Sequence, residues 1–161
     1  MTNYFNYFKY LALYVIFFSI LDFYTNKFYH KIWKKKNNSD QIKLILLLIG
    51  HNIVYYIIYF TVPYIFLYYN TINWKFILMY LFIVIAVPIH WLTNDNKCWI
   101  TVEQNKLLEI SEDYKFRDFY AILTNTYPKT GSLIWYFDHS YTFFLFFAFI
   151  SCIVMLIKKI N

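Results

Sequence analysis

Charged residues, glycine, proline and cysteine are all scarce in this sequence. Only 15% of its 161 residues are Asp, Glu, Lys or Arg, whereas an average globular domain has roughly 25%. The presence of only 2 Gly and 3 Pro excludes collagen-like, Gly-rich and Pro-rich disordered classes. Two distant cysteines, Cys98 and Cys152, exclude a disulfide scaffold and a structural zinc finger. We expect residues 1–161 to form a single domain, with no room for a large soluble catalytic module.

Apolar residues make up 60% of the chain and are concentrated in four long runs. About 20 apolar helical residues cross a hydrocarbon core that is roughly 30 Å thick. The pattern therefore predicts an all-α, multi-pass membrane protein that forms one membrane domain. Its four transmembrane helices are expected at about residues 4–24, 44–69, 75–93 and 133–157. Plasma membrane, endoplasmic reticulum and viral or host membranes all fit this prediction.

Basic residues are unevenly divided between the connections, which predicts an orientation. The connections after spans one and three carry eleven Lys and Arg residues, whereas the opposite side carries four. The positive-inside rule places the eleven in the cytoplasm and both termini outside. Asn37 begins the only N-glycosylation sequon and is then expected to stay unmodified. The expected partners are the lipid bilayer, anionic headgroups at the Lys-rich first connection and a second copy of the chain. No fold signature supports a nucleic-acid partner.

The connection at residues 94–132 is the only long polar segment, and we expect it to form an amphipathic helical loop in the cytoplasm. Thr101 and Gln104 fit a capping box, which predicts a short helix from about Val102 to Ile110. Further along, apolar residues recur at helical spacing from Phe116 to Leu123. Such a pattern is typical of a helix that lies on the membrane surface.

Several short segments follow the third run: Cys98-Trp99-Ile100-Thr101, Gln104-Asn105, Phe119-Tyr120 and Tyr127-Pro128. With these segments, residues 88–131 resemble a bacterial family of small membrane proteins with four helices, no known function and a Cys-Pro-Leu-Thr motif after the third span. Trp99 stands where the family has Pro, and Gln104 stands where the family has Glu. The His-Trp and Asn-rich segment before Cys98 is also similar to uncharacterised membrane proteins of large DNA viruses. The resemblance implies a four-helix membrane fold and no particular activity.

Polar side chains within the apolar runs are the candidate functional residues, because such groups are costly inside a bilayer. The set comprises Asp22, His51, Asn52, His90, Asp138 and His139. Since successive spans alternate in direction, all six are expected in the cytoplasmic half of the bilayer. We expect a helix bundle to turn their side chains toward a common interior.

Several functions are compatible with this polar set. The simplest is hydrogen bonding between helices, which requires no ligand. Alternatively, His51, His90, Asp138 and His139 could bind zinc or non-haem iron, with Cys98 just outside. Two of the histidines could instead bind haem. Movement of a proton or solute through Asp22 and Asp138 is a further alternative. Transporters usually show internal repeats and Gly- or Pro-broken helices. Here Pro63 and Pro88 could kink spans two and three, but Gly50 is the only glycine within a span.

The leading hypothesis is an integral membrane protein with a structural or interaction role and no cofactor. The alternative is a membrane metalloprotein or oxidoreductase built on the His and Asp residues. The sequence has no phosphate-binding loop, nucleophile elbow or Cys-x-x-Cys pair. Whether the chain is an enzyme is left open.

Overall fold

Helices dominate the part of the chain that the computed structural model describes, namely residues 2–25, 32–94, 98–110 and 133–160. Side chains are described for residues 4–24, 32–94, 98–110 and 144–160. The five main helices are α1 (Thr2–Thr25), α2 (Asn38–Leu67), α3 (Trp74–Thr93), α4 (Trp99–Leu107) and α5 (Leu133–Ile160). No strand occurs within the described ranges, and the predicted all-α class is confirmed.

Three of these helices are long and apolar enough to cross a membrane. They are Tyr4–Tyr24 within α1, Asn38–Leu67 and Trp74–Thr93. Each contains most or all of a run that the sequence predicted as a span. The chain is therefore a membrane protein of the all-α class. The fourth predicted run lies within α5.

Asparagine side chains begin two of the helices. The Asn37 backbone is extended, and its Oδ1 accepts a hydrogen bond of 2.9 Å from the Asp40 N–H. Likewise, Asn73 Oδ1 accepts a bond of 2.9 Å from the Lys75 N–H at the start of α3. Such caps satisfy backbone donors that have no partner within the helix. As a result, α2 begins before its apolar run, with a polar first turn.

Helix α2 is the central element of the bundle. It packs against α1 and α4 and more lightly against α5, whereas α3 packs mainly against α5. The main hydrophobic core includes the fully buried side chains of Ile65, Ile77 and Cys152, one from each of α2, α3 and α5. The outer faces stay apolar: Phe5 is 72% exposed and Leu92 is 76% exposed. In a membrane protein, lipid covers such surfaces.

One end of the bundle, which we call the terminal end, holds the start of α1, the α2–α3 turn and the end of α5. The Asn73 N–H donates to the Tyr4 hydroxyl at 3.0 Å. The Tyr69 hydroxyl donates to the Met155 carbonyl at 3.2 Å, and Lys159 Nζ lies 5.0 Å from the centre of the Tyr69 ring. The first three long helices therefore alternate in direction, and α5 runs antiparallel to α3.

The opposite end, which we call the α4 end, contains a second hydrophobic cluster. Leu108 packs with Leu44, Leu48 and Ile32, and all four are buried. Helix α4 also approaches α2 closely, since a Cβ placed on Gly50 would lie 3.8 Å from Ile100 Cδ1. The short helix of the third connection is thus part of the folded bundle.

The predicted capping box at Thr101 is wrong. Helix α4 begins three residues before the predicted start, at Trp99, and its N-cap residue Cys98 makes no side-chain capping bond. Gln104, the second residue of the predicted capping box, is fully buried. The predicted amphipathic stretch from Phe116 to Leu123 lies outside the described residues.

Candidate functional site

A buried polar cluster joins α1 to α2 near the α4 end. Ser19 and Asp22 lie three residues apart and therefore share one face of α1. Asn52 Nδ2 on α2 donates to Asp22 Oδ2 at 3.0 Å and to Ser19 Oγ at 3.3 Å. The exposed fractions of Ser19, Asp22 and Asn52 are only 9%, 2% and 3%. Polar side chains from two helices thus meet at a buried interface.

The Asn52 amide is oriented by its own helix. Besides its two contacts with α1, Nδ2 lies 3.2 Å from the Leu48 carbonyl, one turn earlier on α2. Since an amide has two N–H groups, the three acceptors share two hydrogens. The shortest of the three bonds goes to Asp22. This contact is one of the buried polar links between α1 and α2.

Beside Asp22 and Asn52 lies a cavity of about 10 Å³. Its other walls are aromatic: Tyr14 and Phe18 from α1, and Tyr55, Tyr59 and Phe60 from α2. A volume of this size holds about one water molecule. Among the described side chains, the space beside the cluster is therefore about that of one solvent molecule.

A second polar contact links the same two helices toward the terminal end. The hydroxyl groups of Tyr7 and Thr61 share a hydrogen bond of 2.7 Å, and their exposed fractions are 5% and 1%. We did not predict this pair, because Tyr is abundant in the chain and one Thr in an apolar run gives no signal. Ser19 was also missed, although its spacing of one turn from Asp22 could have indicated a shared face.

His51 is buried at 7% exposure, as predicted for a residue that faces the bundle interior. Its ring stacks on the Tyr55 ring, with the ring centres 4.7 Å apart and an interplanar angle of 26°. Tyr55 lies one turn further along α2, so the stack forms within a single helix.

His90 does not point into a common interior, and that part of the prediction is wrong. It is exposed in the last turn of α3, and its Nε2 accepts a hydrogen bond of 3.1 Å from the Trp99 backbone N–H. This nitrogen is an acceptor only when it carries no proton. Because Trp99 is the first residue of α4, its N–H has no acceptor within the helix, and His90 supplies one. The two histidines whose side chains are described, His51 and His90, therefore lie in separate environments.

Asp138 and His139 belong to α5, but their side chains lie outside the described part of the chain. Among the side chains that are described, no group of three or more His, Cys, Asp or Glu residues could hold a metal ion. The four-residue metal site at His51, His90, Asp138 and His139 stays a prediction.

Ion pairs link α4 and the residues that follow it to α2 and the turn before α2. Glu103 contacts both Lys43 and Lys106, each at 3.2 Å, and Glu109 contacts Lys36 at 2.6 Å. Hydrogen bonds from the two ammonium groups lower the pKa of Glu103 below its ordinary value. The Lys36 ammonium lowers the pKa of Glu109 in the same way. Both carboxylates are therefore held in their charged form.

The chain was compared with known proteins at three levels. No family model, no curated protein and no solved structure matches it. The membrane class therefore comes from the helices of this chain alone, and the geometry of its own side chains is the basis for a functional proposal.

Proposed function

We propose that this chain is a four-span integral membrane protein with a structural or interaction role, in which buried polar side chains hold the helices together. The observation that carries the proposal is the bond from Asn52 to Asp22, flanked by Ser19. Polar groups in a bilayer are stabilised when they bond one another across a helix interface. A cavity of about 10 Å³ beside them supports adhesion between helices rather than catalysis.

Helix α5 is the fourth span in this proposal. It has 28 residues, enough to cross a hydrocarbon core that requires about 20. It packs along α3 and α2, and its last turn carries Lys158 and Lys159 at the terminal end. A basic pair at that position is suited to the headgroup region beyond the apolar segment.

The orientation follows from the charges at the two ends. The α4 end carries Lys34, Lys35, Lys36, Lys43 and Lys106, whereas the described lysines of the terminal half are Lys9, Lys75, Lys158 and Lys159. The sequence adds more basic residues to the connections at the α4 end. The positive-inside rule then places the α4 end in the cytoplasm and both termini on the other side.

Metal analysis combined with a stability measurement tests this role. We expect the detergent-purified protein to contain less than a tenth of an equivalent of iron, zinc or copper and to stay folded. Changing His51 or His90 to Gln should leave the metal content unchanged. About one equivalent of metal that is lost in either variant would contradict the structural role and favour the metalloprotein alternative. An absorption band of haem, lost in the same variants, would contradict it as well.

A further inference from the structure

The basic residues at the α4 end fall into two groups that differ in their partners. Lys36, Lys43 and Lys106 contact the carboxylates of Glu103 or Glu109. Lys34 and Lys35 are exposed, and neither forms a salt bridge within 4.0 Å with the described residues. The more distant charge of Lys35 still contributes to the lowered pKa of Glu109. Among the described lysines of this end, Lys34 and Lys35 are therefore the two adjacent ones that no carboxylate contacts directly.

These two residues sit on an anchored turn. The Lys35 N–H donates to the Ile32 carbonyl at 2.8 Å. Gln41 Nε2 donates to the carbonyls of Trp33 and Lys36 at 2.9 and 3.2 Å. Bonds on both sides of the turn thus tie its backbone to the first turn of α2.

The turn is also attached to the hydrophobic part of the bundle. The Trp33 ring packs edge-on against Phe23 of α1, with the ring centres 5.1 Å apart. Ile32 is buried in the second cluster. Indole rings favour the boundary between hydrocarbon and headgroups. We therefore expect Lys34 and Lys35 at headgroup depth, on a turn whose backbone is held by hydrogen bonds.

We propose that Lys34 and Lys35 form a binding surface for the phosphate of an anionic lipid headgroup in the leaflet at the α4 end. The ammonium group is a compact charge with three donors, which suits a phosphate oxygen. A lysine near an anionic leaflet contributes roughly 1 kcal/mol, or about fivefold in affinity. The three lysines paired with glutamate contribute less, because the carboxylates of Glu103 and Glu109 offset two of their three charges. This proposal rests on the membrane insertion described above.

Native mass spectrometry of the intact chain tests whether Lys34 and Lys35 contribute more to lipid binding than the paired lysines do. The protein is released from neutral detergent that contains equal amounts of phosphatidylserine and phosphatidylcholine, and the lipids that stay bound are counted by mass. The test variant is K34Q/K35Q. The matched control is K43Q/K106Q, which removes the same two charges from the paired lysines. A second control, K9Q/K158Q, removes two charges from the opposite half of the bundle.

We expect the wild type to retain phosphatidylserine in preference to phosphatidylcholine. K34Q/K35Q should lower the association constant for phosphatidylserine at least tenfold, given about fivefold per lysine. Each control variant should lower it by less than about threefold. An equal loss in K34Q/K35Q and K43Q/K106Q would overturn the proposal, since net charge alone would then explain binding. Absence of a preference in the wild type would overturn it too.

Two further measurements distinguish an error in the proposed lipid ligand from an error in the proposed membrane insertion. Glycerophosphoserine, the headgroup without acyl chains, should not displace the lipid at equal concentration, and displacement would overturn a lipid as the ligand. Carbonate extraction of membranes that contain the chain tests insertion itself. A chain that resists extraction but lacks the lipid preference overturns only this inference. A chain that is extracted overturns both the inference and the proposed membrane role.

Discussion

Asn52 on α2 and Asp22 on α1 are joined by a 3.0 Å hydrogen bond at a site where both side chains are almost completely buried. The two residues are 30 positions apart in sequence, so the bond links separate helices. Breaking it leaves a carboxylate in an apolar interface without its amide donor. Loss of this bond should therefore lower the free energy of unfolding.

Replacing Asn52 by Leu should lower the free energy of unfolding by about 1–3 kcal/mol, because a buried acceptor then loses its donor. Reversible unfolding in mixed micelles measures this change. The matched control is Asn38→Leu, at an exposed position in the first turn of the same helix, which should change stability by less than about 0.5 kcal/mol.

The double variant Asp22→Leu, Asn52→Leu extends that test. Removing both partners leaves no buried carboxyl group that has lost its donor. The double variant should therefore be more stable than the single variant Asn52→Leu. If Asn52→Leu unfolds at the same free energy as the wild type, the cluster does not hold α1 on α2.

Replacing His90 by Phe should loosen the start of α4, because the Trp99 N–H loses its acceptor. A net hydrogen bond contributes roughly 1 kcal/mol, so the Trp99 amide should exchange about fivefold faster. Amide hydrogen exchange followed by mass spectrometry of the α4 peptide measures this effect. Thr93→Val is the control, since the Thr93 hydroxyl bonds only carbonyls of its own helix. Equal exchange in His90→Phe and the wild type would exclude a capping role for His90.

Acidification should weaken the attachment of α4 to α2. The pKa of Glu103 is lowered because Lys106 and Lys43 bond its carboxylate, so the folded state favours the charged form. The resulting stabilisation is complete above the ordinary glutamate value of about 4.3. It is lost as the pH falls through the lower value of the folded state. For a largely exposed pair we expect about 0.2–1 kcal/mol.

Protection of the α4 amides, corrected for the intrinsic exchange rate at each pH, follows this loss. Glu103→Gln should reduce protection at pH 7 and flatten its dependence on pH. High salt should act in the same direction, because it screens exposed charges. An unchanged pH dependence in Glu103→Gln would show that the ion pairs do not contribute to docking.

Gly50 offers a steric test of the contact between α2 and α4. A methyl group at this position would lie 3.8 Å from Ile100 Cδ1, which is an ordinary van der Waals distance. Gly50→Ala should therefore be accepted and should stabilise α2 by roughly 0.5–1 kcal/mol, through its higher helix propensity. Gly50→Leu should displace α4 and expose its amides to exchange. Equal α4 protection in both variants would contradict close packing at Gly50.

The sequence predicted the long helices well, because about 20 consecutive apolar residues leave few alternatives. It missed the first turn of α2, where Asn37 caps a polar segment that hydropathy does not register. It also placed the start of α4 wrongly. The Thr101 pattern is local, whereas the acceptor for the Trp99 N–H comes from His90 on another helix.

For the candidate site, too, the sequence predicted what depends on a single helix and missed what depends on contacts between helices. The sequence placed Asp22 and Asn52 in one half of the bilayer, since helix direction and length determine depth. It could not determine which residues pair, because the rotation of each helix about its axis depends on packing. His90 illustrates the difference: its depth was predicted, yet its side chain is exposed and bonds α4.

The most direct test of the account is glycosylation mapping in sealed microsomes. Acceptor sequons are added through flexible spacers before Met1 and after Asn161, and the natural sequon at Asn37 serves as the internal reference. Four spans with both termini outside predict that both added sequons are glycosylated and that Asn37 is not. Glycosylation of only one terminal sequon would contradict the fourth span, and glycosylation of Asn37 would contradict the orientation.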